Sequence, residues 1–169
     1  MVMRADCLSA AIDHIPGERP HVILTSPAGK AWKHQSCKNL AKTNRRVAIV
    51  CGRFSGIDQR FIDMYVDQEV SIGDFIMSGG EITALAIIDS TLRLIPGVLG
   101  NSESPTFDSF AKGMNGILEY PLYTKPPEFR GKSVPEVLRS GDHARIAQWR
   151  QNKSLQTTAQ KRPDLLPHS

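Results

Sequence analysis

At 169 residues the chain can bury one real core with a small appendage, which excludes a large multidomain enzyme. Its 40% hydrophobic and 22% charged content is ordinary globular composition and excludes a chain left unfolded by low hydrophobicity and high charge. The net charge of +4 is unevenly placed: residues 125–162 carry nine Lys/Arg against three Asp/Glu, whereas residues 1–124 carry twelve against thirteen. Only the C-terminal part therefore has the excess that neutralising a nucleic-acid backbone requires, although a solvated helical surface would carry the same charge.

In chain order, residues 4–14 place Leu8, Ala11 and Ile12 at helical spacing. The runs 21–25, 46–51 and 66–72 are β-rich, and helix-like stretches at 31–42 and 57–66 separate them. That alternation predicts βαβ units and a parallel sheet, an α/β fold. Ser78-Gly-Gly-Glu81 fits a capping box ahead of a helix over 82–95, stopped by Pro96-Gly97. Apolar residues occupy nearly the whole circumference of that helix, which predicts burial on several sides and a subunit interface.

From residue 100 to 113 the sequence turns polar and loses periodicity, so a linker or active-site loop is expected there. The predicted division is 1–99, a linker at 100–113, and 114–169. In the last part, residues 134–138, 142–153 and 154–161 read as short helices.

The longest apolar runs, such as 84–88, fall far short of a bilayer span, and no signal pattern opens the chain. A cytoplasmic protein with no membrane partner is expected. Cys7, Cys37 and Cys51 have neither disulfide nor zinc spacing and read as reduced, mostly buried thiols. No metal ligand set is predicted.

Three glycine-containing loops lie after strands or before helices: Ser26-Pro-Ala-Gly29, Cys51-Gly-Arg-Phe-Ser-Gly56 and the run 71–80. Ligands of open α/β sheets bind at the carboxyl ends of strands, so a cofactor would lie there. None of the loops matches a dinucleotide fingerprint or a P-loop. Asp89 and Arg93 have the spacing of a helical salt bridge; alternatively Arg93 points out of the helix end toward a substrate. Asp108 sits between Phe107 and Ser109-Phe110, either as a loop residue capping a turn or as a base under a closing loop.

Several longer motifs narrow the reading. Cys51-Gly-Arg-Phe-Ser-Gly-Ile-Asp58, Ser71-Ile-Gly-Asp74, Ser78-Gly-Gly-Glu81 and Arg93-Leu-Ile-Pro-Gly-Val-Leu-Gly100 together resemble the bacterial tRNA (guanine-N1)-methyltransferase family, TrmD. Asp108-Ser-Phe110, Leu118-Glu-Tyr-Pro-Leu-Tyr-Thr124, Glu128-Phe-Arg-Gly131, Val134-Pro-Glu-Val-Leu138, Ser140-Gly-Asp-His143, Trp149-Arg150 and Arg162-Pro-Asp-Leu-Leu166 extend the resemblance, in order, over nearly the whole chain.

The resemblance implies a SPOUT-class α/β domain with a parallel sheet and a deep trefoil knot, followed by a small helical C-terminal domain. It also implies a homodimer, tRNA as partner and S-adenosylmethionine as cofactor, with magnesium as a candidate second one. By motif, the cofactor would meet Leu24, Thr25, Ser26, Pro27, Gly52, Ser71, Ile72, Gly73, Asp74, Phe75, Ile76, Met77, Gly79, Gly80 and Thr83. Asp108 matches the family's catalytic aspartate, which takes the N1 proton of the guanine on the 3′ side of the anticodon. Arg93 matches an arginine that steadies the base, and the linker of one subunit closes over the pocket of the other. Arg145, Arg150, Lys161 and Arg162, with Lys125 and Arg130, are candidate tRNA contacts.

Four positions depart from the family pattern. Phe54, Ser55 and Gln59 replace a tyrosine and two glutamates of the motif around Gly56, and Thr83 replaces a proline. The matched region begins after the family's glycine-rich segment and stops before its last helices, so the family's first strand, helix and following loop and those last helices are expected to be absent. A non-catalytic or truncated knotted RNA-binding protein of the same ancestry is the rival reading. A Rossmann-type methyltransferase is disfavoured by the missing G-x-G after an early strand.

Overall fold

The computed structural model describes residues 1–98 and 107–167. Its chain divides into two compact units, Met1–Gly100 and Asn101–Ser169. In the first, β1 (His21–Ala31) lies between β2 (Val47–Cys51) and β3 (Gln68–Ser71), and both neighbours run parallel to it. The expected parallel α/β sheet is thus present.

Alternation along β1 sends successive side chains to opposite faces. On one face Val22 packs with Ile12 of α1 (Ala5–Asp13) and Phe61 of α3 (Gln59–Tyr65). On the other, Ile23 and Val70 meet Ile87 of α4 (Glu81–Leu92), with Leu40 of α2 (His34–Ala41) beside them. Helices therefore cover both faces, and the run Val22, Ile23, Leu24 is buried without interruption, as a central parallel strand requires.

Three local expectations are corrected here. The Ser26-Pro-Ala-Gly29 segment is not a turn that ends the strand: β1 continues through it as an irregularity, so that Thr25 and Lys30 both register with Val70. Gly29 permits this, because a Cβ there would land on the Val70 backbone. The second correction concerns Ser78, which does not cap α4. Gly80 is the N-cap and makes no side-chain cap, while Glu81 turns to Arg53. Third, α4 ends at Leu92 and Arg93 caps it, three residues short of the expected end. Ala84 and Ile87 of α4 are buried, but Ile82 and Leu85 remain 63% and 64% exposed, leaving an outward apolar stripe with Ile88 and Leu92. Of the three thiols, Cys37 is buried, Cys51 partly so, and Cys7 is exposed, fewer buried than the composition led one to expect.

The second unit is built around one long helix, α5 (His143–Lys161). No break falls at Ser154, where two short helices were expected. Asp142 caps the start by accepting from the Arg145 N–H (3.1 Å), and Thr158 donates back to the Ser154 carbonyl (2.7 Å) inside the helix. A 3₁₀ turn at Glu136–Arg139 stands where a helix over 134–138 was expected, because Pro135 precedes its first residue. A two-stranded hairpin, β4 (Glu128–Phe129) and β5 (Lys132–Ser133), was not anticipated. Arg130 and Gly131 form its turn with φ of 50° and 74°, the primed geometry that tight hairpins favour. Residues 100–106 of the predicted linker lie outside the described residues. Residues 107–113 fold within this unit: the Phe110 N–H donates to the Ile117 carbonyl (2.9 Å), and Ala111 is buried.

Among the described residues no helix is long and apolar enough to cross a membrane.

Candidate functional site

The carboxyl ends of the three strands in the first unit open into one cavity of about 520 Å3. That is within the usual range for a small-molecule site. β1 supplies Leu24 and Thr25 and then its irregular segment; the loop after β2 supplies residues 52–57; the loop after β3 supplies most of residues 71–80. Of the fifteen residues assigned to a cofactor in the sequence, fourteen line this cavity, Thr83 from α4 among them. Asp74 is exposed and is not on its wall.

Backbone contacts hold these loops together. The Gly80 N–H donates to the Gly52 carbonyl (3.2 Å), and Arg53 bridges to Gly79 in antiparallel fashion. Thr25 Oγ1 donates to the Val50 carbonyl (3.2 Å), and the Ser71 hydroxyl closes a turn on Gly73 from both sides. Gly80 is required by proximity: a Cβ there would collide with Thr25 Oγ1 and stand 3.1 Å from Cys51 Cα. The Gly80 main chain thus lies directly against the Thr25 side chain and the Cys51 backbone, with no room for a side chain of its own.

The electrostatic feature of the site is one the sequence reading did not single out. Arg53 pairs with Glu81 at 2.7 Å, linking the loop after β2 to the start of α4. A backbone N–H at the helix start, together with Arg53, keeps the Glu81 carboxyl below its ordinary value. Burial, reinforced by the Glu81 charge, pushes the Cys51 thiol up, away from the reactive thiolate. The partners are 28 positions apart, and no local pattern announces such a pair. Phe54, Ile57 and Glu69 also line the cavity. Phe54 and Ile57 belong to a motif already noted, so their loop was visible although their place on the wall was not.

Arg93 lies exposed at the end of α4, its N–H donating to the Asp89 carbonyl (3.2 Å). Asp108 belongs to the second unit, half-buried in a turn whose backbone carbonyl accepts from Ala111 (3.1 Å). The next residue, Ser109, accepts the Glu119 N–H on its hydroxyl (2.9 Å), which draws the Leu118-Glu-Tyr motif to the Asp108 turn. Burial raises the Glu119 carboxyl above its ordinary value; Asp108 adds to the rise and Arg150 opposes it.

The basic candidates are all exposed but do not form one face. Arg150 lies over the Tyr120 ring at 4.7 Å, and Arg130 over Phe129 at 5.2 Å. Arg162 pairs with Asp164 at 2.7 Å. Arg145 and Arg150 point about 140° apart around α5 at 3.6 residues per turn. Among the described residues no three of His, Cys, Asp and Glu converge as a metal site would need.

Comparison with known proteins gives this geometry a family. The chain is 51% identical over 168 residues to a tRNA (guanine-N(1)-)-methyltransferase of Geobacter sulfurreducens, covering 98% of the chain and 67% of that protein. It is 47% identical over 168 residues to one from Citrifermentans bemidjiense and 49% over 169 residues to one from Neisseria meningitidis serogroup C, in each case over 98% of the chain and 66% of the relative. The chain therefore spans about two thirds of the length of the curated relatives it matches. The profile of one family, described as tRNA (guanine-1)-methyltransferase TrmD, matches residues 1–168, and the chain belongs to that family.

Proposed function

We propose that the chain carries the cofactor pocket and catalytic residues of an enzyme that transfers a methyl group from S-adenosylmethionine to N1 of the guanosine on the 3′ side of a tRNA anticodon. The observation that carries this reading is the cavity at the three strand ends, walled by fourteen of the fifteen residues assigned from sequence to the cofactor. The names of the relatives supply the substrate class.

The cavity suits the cofactor by shape and chemistry. Its close-packed glycines leave backbone donors and acceptors for an adenine edge, and Leu24, Ile72, Ile76 and Met77 offer apolar contact to its faces. When bound, S-adenosylmethionine supplies a methyl group on a sulfonium, already a good leaving group. What remains for the protein is alignment and removal of one proton. Asp108 accepts the N1 hydrogen as N1 forms its bond to the methyl carbon, and Arg93 steadies the guanine as its charge changes. Among the described residues no three of His, Cys, Asp and Glu come together to hold a metal ion, and no step is assigned to one.

Completion of the site requires a homodimer, in which the segment around Asp108 closes over the cavity of the partner. The exposed apolar stripe of α4 supports this, since stripes of that kind are rare on monomers. A deep trefoil knot is part of the same proposal, supported by the family to which the chain belongs. Unit two would hold the tRNA, with Arg145, Arg150, Lys161 and Arg162 near phosphates; its basic charge supports that role.

One observation favours the non-catalytic rival: Ser55 lines the cavity where the family pattern has a glutamate. Incubation of the protein with tRNA and labelled cofactor, followed by nucleoside mapping, separates the two. The proposal expects 1-methylguanosine at the position next to the anticodon. A folded protein that binds the cofactor and leaves tRNA unmethylated would establish the rival instead.

A further inference from the structure

The turn after β2 holds an aromatic ring in a place where no ring settles by default. Phe54 has φ of 59°, in the left-handed region that bulky side chains avoid. Its side chain stays 70% exposed while lining the mouth of the cavity, so the ring gains little of the burial that would offset such a conformation.

The surrounding contacts keep it there. Gly56 donates to the Arg53 carbonyl (3.2 Å) and closes the turn, and the Ser55 N–H donates to the Met1 carbonyl (2.9 Å). Arg53 is fixed on the far side by its bridge to Gly79 and its ion pair with Glu81. The turn is thus tied at both flanks, and Phe54 presents a flat apolar surface to solvent at the cavity mouth.

We propose that Phe54 is the stacking face for the target base, a binding residue on which the extruded guanine lies before methyl transfer. This rests on the proposed function, which requires a purine to leave its stack and enter the cavity from solvent. Of the apolar side chains offered to the adenosyl group, Leu24, Ile72 and Met77 are partly or fully buried, and Ile76, which is as exposed as Phe54, has no π-face to offer a base. An exposed ring at the entrance meets what arrives last. Stacking needs a π-face and no hydroxyl, which phenylalanine satisfies.

The test uses the full chain with Phe54→Leu and Phe54→Tyr, measuring the Kd for S-adenosylmethionine by calorimetry, KM and kcat for a tRNA transcript, and oligomeric state by light scattering. Phe54→Leu removes the ring and is expected to raise KM for tRNA by about 5- to 150-fold, the range that base–aromatic stacking covers. Cofactor Kd should stay within about twofold and Phe54→Tyr should restore KM, since neither the backbone turn nor the cradle is altered. Unchanged KM in Phe54→Leu would overturn the inference while leaving the proposed function intact. A parallel fall in cofactor affinity would reassign the ring to the adenosyl group, and a change in oligomeric state would reassign it to a subunit contact. Wild-type protein that transfers no methyl group would instead remove the proposed function, and the inference with it.

Discussion

The two units are stabilised by different kinds of contact. In the first, the fully buried side chains are apolar and lie on the two faces of one sheet: Phe61 and Val22 on one side, Ile23, Val70 and Ile87 on the other. In the second, among the described residues, the largest fully buried side chains are Ser154 and Thr158 of α5, beside the buried Ala111, Met114 and Ile117, and the Ser154 hydroxyl makes no hydrogen bond. Thr158 Oγ1 accepts the Leu118 N–H (3.1 Å) while donating to the Ser154 carbonyl, Tyr123 pairs with Trp149, and Tyr120 and Phe129 lie under arginines. One unit is held chiefly by burial and the other leans on directed bonds, which are worth less each and fail individually when a partner is removed.

Substitutions can break that contrast or sharpen it. The largest effect is expected for Phe61→Ala, which empties the space between α1, α3 and the sheet and should cost about 3–5 kcal/mol in urea unfolding. A loss well below that range would mean the first unit does not depend on its apolar core. Thr158→Val keeps the volume and strands the Leu118 N–H, so about 1–3 kcal/mol should be lost, read from unfolding signals of the second unit such as Trp149 fluorescence. If Thr158→Val unfolds like wild type, the polar account of the second unit is wrong.

The smallest effect carries the opposite sign. Glu119 has a carboxyl raised mainly by burial, so the folded state binds its proton more tightly than the unfolded state does. Stability is therefore lost as pH rises from the unfolded value of about 4.3 through the raised folded value, and the penalty is complete above it. Glu119→Gln cannot ionise and should be the more stable protein at pH 7, with its advantage shrinking away below about pH 4. Equal denaturant midpoints for the two proteins at pH 7 would contradict this.

The contrast also explains what could be read from the sequence. The continuous apolar run that opens β1 and the βαβ alternation are local patterns, so the sheet and its covering helices were legible. The loops of the cavity were legible too, because each is marked by glycine after a strand. The continuation of β1 past Pro27 was hidden, since a proline and a glycine mark an irregular strand and a turn alike. The same holds for α4, whose Ser-Gly-Gly-Glu start fits a capping box while Glu81 is drawn to Arg53, a partner no window of sequence contains. In the second unit the hairpin at Arg130-Gly131 was missed because each of its strands is only two residues long, and the unbroken α5 because its residues past Ser154 are engaged at a distance, Thr158 with Leu118.

If Asp108 is the base of the proposed methyl transfer, its removal shows in turnover and not in cofactor binding. Methyl transfer to tRNA is measured for wild type and Asp108→Ala, with S-adenosylmethionine affinity determined on the same samples. The account predicts that cofactor binding is unchanged and kcat falls by about 100- to 10,000-fold, the contribution of a positioned base. Undiminished turnover in Asp108→Ala would contradict it.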